Sequence, residues 1–334
     1  MNKFFSYMKA VAVFILCVTA MSEAQPRKKL GQAGLEFLSV ISDARAGAMA
    51  NAMTSLEFQS SALFFNPAGM ANMNGFLDVS ASNNQWIADI THNAYSLALR
   101  PAGGTYGVFG ITIQTVDYGE IMWTKVADTP IGYEDTESSI DASAFVIGVG
   151  YAKALTDRFS VGGQVKWMRQ TLGESLVPGA DNTITSVKNE VTPIAFDFGT
   201  LFKTGVKSLA FGMSVRNFSK EIKYQQEGFQ LPLLFTLGIS MDLMDVLGES
   251  NLSRSLILSV DATHPRSHPE QLCFALEYKP LEIISLRSGY IANNDEDGPA
   301  FGFGISKFGL QLDYAFTPFG VFDNVQRLTA RFSY

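Results

Sequence analysis

Cysteine and histidine are nearly missing from this sequence: two and three residues among 334. Cys17 lies in a leader-like N-terminus, which leaves Cys273 alone in the mature chain and excludes an internal disulfide. His92 stands alone in a strand-like stretch, where it reads as a lumen or interface side chain. His264 and His268 are spaced for a metal pair only on a helix, and Pro265 and Pro269 forbid that helix. Charge is also scarce, 17% of residues against ~25% in soluble domains. The net charge of −7, with no cluster of Lys and Arg, excludes a nucleic-acid partner, because neutralising phosphates needs clustered cations. Long apolar runs are missing beyond the N-terminus, so no helix of the mature chain is expected to cross a bilayer. No G-x-S-x-G elbow, P-loop, H-E-x-x-H or G-x-G-x-x-G occurs, and the chain reads as a non-enzyme without a cofactor.

Glycine, phenylalanine and turn residues are what the chain does have. There are 29 Gly and 26 Phe, and apolar content is an ordinary 47%. Little charge, ordinary hydrophobicity and many aromatics suit strands that face lipid on one side only. The first residues read as a signal peptide over 1–24. Lys3 and Lys9 precede an apolar run from Ala10 to Ala20, and Ser22 and Ala24 occupy the small-residue positions before cleavage. Leu16 is too bulky for a lipoprotein reading of Cys17.

From Phe76 onward, segments of period two alternate with Gly, Pro, Asn and Asp turns. Fourteen strands are expected, near 76–82, 86–100, 105–118, 139–154, 158–171, 183–203, 208–218, 231–243, 254–264, 270–279, 281–292, 299–307, 309–316 and 326–334. Several approach the ~9–11 residues that a tilted strand needs to cross a bilayer. The connections sort by parity. One set is tight except at 244–253, and the other is mostly long, as in outer-membrane barrels. Within strands, Phe109, Ile111 and Ile113 oppose Thr112 and Gln114. Val165 and Trp167 oppose Gln164 and Lys166, and Leu328 and Phe332 oppose Thr329 and Arg331. One face is expected to meet lipid and the other a partly polar lumen. The competing reading is a soluble sandwich with one buried face.

Residues 31–73 break this pattern. They are rich in Ala, Gly, Met, Ser and Phe, nearly uncharged, and helical rather than alternating in period over 35–41 and 44–53. Asn66 before Pro67 places a cap residue ahead of a proline suited to a first helical turn. A segment that folds ahead of a barrel reads as its hatch, here assigned to residues 25–74, with the barrel over 75–334. Asp43, Arg45, Asn66, Pro67 and Gly69 are its candidate gate residues. The two charges are expected to find partners in the lumen, because a buried lone charge is costly.

Two acidic loops remain. Glu120, Asp128, Glu134, Asp135 and Glu137 lie in one long connection and read either as a solvated loop or as a docking loop for a partner. Asn293, Asp295, Asp297 and Gly298 fit the first half of an EF-hand-like loop. Position 12 falls on Gly304 instead of Glu, so this run reads as a solvated loop or at most a weak surface Ca²⁺ site.

The run GQAGLEFLSVISDARAGAMANAMTS, then SSALFFNPAGMANM, resembles the PorV/PorQ family of outer-membrane proteins, within the wider FadL-like group of long-chain fatty-acid transporters. The element Asn66-Pro67-Ala68-Gly69 matches the NPAG run that ends the hatch in these families. Residues 313–320 (DYAFTPFG) and the terminal Arg331-Phe332-Ser333-Tyr334 are similar to the PorV/PorQ pattern as well. The resemblance implies a fourteen-stranded barrel of the bacterial outer membrane with a lumen hatch. It also implies a non-enzymatic accessory role in type IX-like protein secretion, binding exported cargo proteins or secretion machinery. The alternative is FadL-like passage of long-chain fatty acids or other small hydrophobic molecules.

Overall fold

The computed structural model describes residues 33–126, 129–140, 142–178, 184–224, 228–247, 254–294, 298–320, 322 and 324–334. The expected leader lies outside the described residues, as do Asp128, Asp295 and Asp297.

Fourteen strands close into one antiparallel ring. They are β1 (Leu77–Gln85), β2 (Thr91–Leu99), β3 (Val108–Asp117), β4 (Ala142–Ala154), β5 (Phe159–Pro178), β6 (Ile194–Lys203) and β7 (Ala210–Phe218). The ring continues through β8 (Leu234–Asp242), β9 (Ser255–Pro265), β10 (Gln271–Leu281), β11 (Ile284–Ala292), β12 (Pro299–Lys307), β13 (Leu310–Thr317) and β14 (Val325–Ser333). Each strand pairs with its sequence neighbour, and β1 pairs with β14 to close the circle, Ala81 opposite Ala330. Closure removes sheet edges and satisfies the backbone of every strand, which hydrocarbon requires of a spanning sheet.

The alternating sequence becomes two faces. Outward, Val165, Trp167, Phe196, Phe198, Leu312 and Leu328 are exposed. Inward, Gln164, Lys166, Asp197, Asp313, Thr329 and Arg331 are buried. A soluble sandwich would bury the aromatics and expose the charges. This barrel does the reverse, as a lipid-facing wall does.

Connections differ between the two ends of the ring. At one end, here the turn end, strands join through 100–107, 155–158, 204–209, 282–283 and 308–309, all of eight residues or fewer, and through the longer 243–254. At the other, the loop end, the wall extends into hairpins. The strand expected over 183–203 divides at Pro193, which has no N–H for the ladder. Its first part, Ile184–Val191, pairs with the far half of β5, so β5 runs twenty residues and the loop expected from 172 is largely strand. Ile121–Val126 and Tyr133–Ile140 form a second hairpin inside the expected loop 119–138. Ile222–Lys223 and Gly228–Phe229 form a third and smaller one. The first strand is longer than expected, covering Leu77–Gln85.

Residues 33–74 fold within this ring as short pieces. Their helical spacing is realised only as 3₁₀ turns at Glu36–Ser39, Gln59–Phe64 and Pro67–Met70 and as one α-helix, α1 (Ala44–Ala48). Left-handed backbone at Ala50 (φ 48°) and Asn51 (φ 66°) stops α1 well short of Met53. Helix α1 packs against β11 to β14, residues 59–64 against β1 to β3, and residues 67–70 against β4 to β6. The rest of the ring is reached through Thr54 and Ser55, which meet Gly212 of β7, Gly238 and Ser240 of β8 and Asp261 of β9, and through Arg45, which meets Glu277 of β10. A segment that touches the inner face of all fourteen strands occupies the space they enclose. The principal apolar core lies at this contact: Met49, Met53, Phe58, Leu63, Met70 and Met73 pack on Ala98, Val108, Ala152, Cys273 and Ala275 of the wall.

Candidate functional site

Small residues let the segment sit close to the wall. A Cβ on Gly162 would come within 2.5 Å of the Pro67 carbonyl carbon, and one on Gly289 within 2.6 Å of the Ala50 nitrogen. Polar contacts then fix the segment. Asn66 caps the turn at Pro67, accepting from the Ala68 N–H at 3.1 Å. Its amide donates to Thr54 O at 2.6 Å and to Thr200 O of β6 at 2.9 Å. Gly69 packs on Leu56 O, where a Cβ would stand at 2.8 Å.

Both candidate gate charges, Asp43 and Arg45, meet partners from the wall. Asp43 caps α1 through the Ala46 N–H at 3.1 Å and lies 3.5 Å from Arg331. Arg45 grips Glu277 with two nitrogens, at 2.7 and 2.9 Å. Glu277 also takes Arg287 at 2.6 Å and Lys279 at 3.4 Å, and Arg287 continues to Asp313 at 2.6 Å. Sequence reasoning did not name Glu277, Arg287 or Asp313. Their signal was a charge standing between two outward apolar residues: Leu276 and Tyr278 flank Glu277, and Leu312 and Tyr314 flank Asp313. In a membrane barrel that position points to the lumen, where a charge persists only with a partner.

Two spaces remain on either side of the segment. The turn-end space is a polar vestibule of about 870 Å³, reached by Arg45, Arg158, Lys203, Lys279 and Arg331. The loop-end space is a chamber of about 580 Å³, within the range of small-molecule sites. Phe37, Val40 and Ile41 of the segment face Trp86, Ile291 and Phe319 across it. Trp86 and Phe319 meet edge to face with centroids 4.9 Å apart, and His92 stands 6.3 Å from the Trp86 ring. Arg327 lies over Trp86 at 5.8 Å, donating to Ile41 O and to Thr317 Oγ1, both at 2.8 Å.

The hairpin around 222–229 packs beside the chamber, in the apolar cluster that holds Phe37 and Tyr118 of its lining. Gly34 N donates to Gln230 O at 3.0 Å, tying the segment to the hairpin. Tyr224 stacks on Phe229 at 5.2 Å and donates to Gln170 Oε1 at 2.8 Å, while Gln170 Nε2 donates to the Tyr118 hydroxyl at 2.8 Å. Burial, with Tyr118 nearby, pushes the Tyr224 phenol up to about 12.

The acidic connection does not join this site. Glu120 precedes the hairpin Ile121–Val126/Tyr133–Ile140, and Glu134, Asp135 and Glu137 lie on its second strand. Asn293 follows β11 with left-handed backbone (φ 61°), and its neighbour Asn294 contributes to the chamber lining. Among the described residues, no group of three or more His, Cys, Asp or Glu is placed to hold a metal.

No family model and no curated protein matches the chain. Solved structures do. The toluene transporter TbuX of Ralstonia pickettii aligns at 13% identity over 87% of this chain and 98% of that one, with a TM-score of 0.57. The CymD monoaromatic hydrocarbon channel aligns at 10% identity over 88% and 97%, with a TM-score of 0.56. The toluene transporter TodX of Pseudomonas putida aligns at 12% identity over 91% and 98%, with a TM-score of 0.54. At such identities the likeness is one of fold, and the fold this chain shares is that of transporters and channels.

Proposed function

We propose that the protein is a FadL-like barrel of the bacterial outer membrane, exported by a cleaved signal peptide, that passes small hydrophobic molecules through its lumen. Residues 25–74 act as the hatch, with Asp43, Arg45, Asn66, Pro67 and Gly69 holding it. The loop-end chamber carries this reading: an apolar, aromatic-lined space of about 580 Å³ lies between the hatch and the wall. A segment present only to brace the barrel would pack without it. The hydrocarbon transport named for TbuX, TodX and CymD agrees in kind.

A second reading keeps the barrel and gives it the accessory role in type IX-like secretion implied by the PorV/PorQ resemblance. The projecting hairpin 121–140, with its acidic residues and the exposed Met122, Ile131 and Tyr133, favours it as a place for exported proteins to dock. One experiment separates the two. Cells producing the protein are given labelled toluene, alongside cells producing Ile291→Trp, which fills the chamber, or a variant with 121–140 replaced by a short turn. The transport reading expects uptake to fall about tenfold with Ile291→Trp, as a lost contact of about 1.4 kcal/mol would give, and to stay unchanged with the shortened hairpin. Uptake indifferent to Ile291→Trp, with surface delivery of exported proteins lost on shortening the hairpin, would establish the accessory role instead.

A further inference from the structure

The chamber is apolar without being featureless. His92 is inward on β2, 4% exposed, and contributes to the chamber lining. Among the described residues neither of its ring nitrogens has a hydrogen-bond partner. On the hatch side, Asn51 lines the same chamber, and its Oδ1 is buried without a partner. Its backbone is held in the left-handed region by the bond from its N–H to Ala46 O, at 2.9 Å. Buried polar groups are nearly always paired, and each orphan costs about 1–3 kcal/mol. The His92 ring, in the chamber lining without a partner, marks a place where a guest supplies a missing bond.

The types of group decide which guest. A neutral imidazole offers one N–H donor and one acceptor, and the Asn51 oxygen is an acceptor. A hydroxyl is the ring's complement, since it either accepts from the ring N–H or donates to the acceptor nitrogen. A carboxylate fits poorly. The one arginine of the lining, Arg327, is already committed to Ile41 O and Thr317 Oγ1, and Glu36 adds a negative charge at the rim. A plain hydrocarbon fills the space and leaves the His92 ring unpaired. We infer that the chamber takes a small apolar molecule bearing one hydroxyl, such as a phenol, with His92 anchoring the hydroxyl. This rests on the hydrophobic-passage reading and names the class of molecule passed.

Toluene and p-cresol differ by that one hydroxyl and serve as the probes. Full-length protein in detergent is titrated with each by calorimetry. The inference predicts that p-cresol binds about fivefold tighter than toluene, the worth of one net hydrogen bond. His92→Phe should remove that preference while keeping toluene binding, and His92→Gln, which retains a donor and an acceptor, should preserve it. Equal affinities in the unaltered protein, or a preference that survives in His92→Phe, would overturn the inference and leave the hydrophobic chamber standing. Binding of neither probe would overturn both. If His92→Phe does not fold, the comparison of probes on the unaltered protein and on His92→Gln still decides.

Discussion

The two spaces on either side of the N-terminal segment are built from the same wall and differ in almost every other respect. At the turn end, Arg45 joins a set of ion pairs that runs through Glu277 and Arg287 to Asp313, and Arg331 pairs separately with Asp43. At the loop end, Trp86, Phe319, Ile291 and Phe37 leave an apolar chamber with His92 in its lining. The difference assigns different tasks to the two ends of the segment. Buried charges with full partners hold one arrangement, because any displacement exposes an uncompensated ion. Apolar contact is non-directional and tolerates a guest. In the proposed reading the turn end anchors, and the loop end receives.

The largest expected effect comes from breaking the anchor. Glu277→Ala leaves Arg45 and Arg287 without their shared carboxylate, and removing one partner of a buried pair costs about 3–5 kcal/mol. The segment should loosen, and single-channel conductance in a planar bilayer should rise because the two spaces join. Conductance unchanged from the unaltered protein would mean that the ion pairs do not hold the segment. Asn66→Ala is smaller. It removes a cap and the two bonds to Thr54 and Thr200, for about 1–2 kcal/mol. Faster hydrogen exchange should then be confined to the turn at 67–70, with conductance near that of the unaltered barrel.

The smallest effect concerns the hairpin beside the chamber. The Tyr224 phenol is raised in the folded protein, so the fold favours its neutral form. That contribution is whole below the ordinary tyrosine pKa of about 10 and is lost as pH climbs through about 12. Between these values the hairpin should detach from Gln170, seen as faster proteolysis near 224. Tyr224→Phe should flatten this pH response, and a response that persists in that variant would place its cause elsewhere.

How much of this was legible in the sequence divides along the same line. The wall was: alternation such as Val165-Lys166-Trp167 fixes which side chain faces lipid, because strand period is two and one slip would reverse every residue. The turn chemistry of Asn66-Pro67 was legible too, since capping is local. The short pieces of residues 33–74 were not. Helical spacing over 44–53 promised a longer helix, and contact with fourteen strands imposed kinks that no local propensity encodes. The loop-end hairpins were legible only in part: 184–191 fell within an expected strand and 120–126 was open to a strand reading, but 133–138 and 219–230 were read as loop, because a strand continuing beyond the membrane changes composition at that point. The chamber was the least legible part. Trp86, His92, Phe319 and Arg327 come from distant parts of the chain and meet only once the ring closes. The one advance sign was His92, a lone histidine at an inward strand position.

Bromobenzene, diffused into crystals of the unaltered protein and located by anomalous scattering, tests the central claim most directly. The account predicts a single bromine site in the loop-end chamber among Phe37, Trp86 and Phe319, and none in the vestibule beside Arg45. A bromine site in the vestibule, or an empty chamber at saturating bromobenzene, would contradict it.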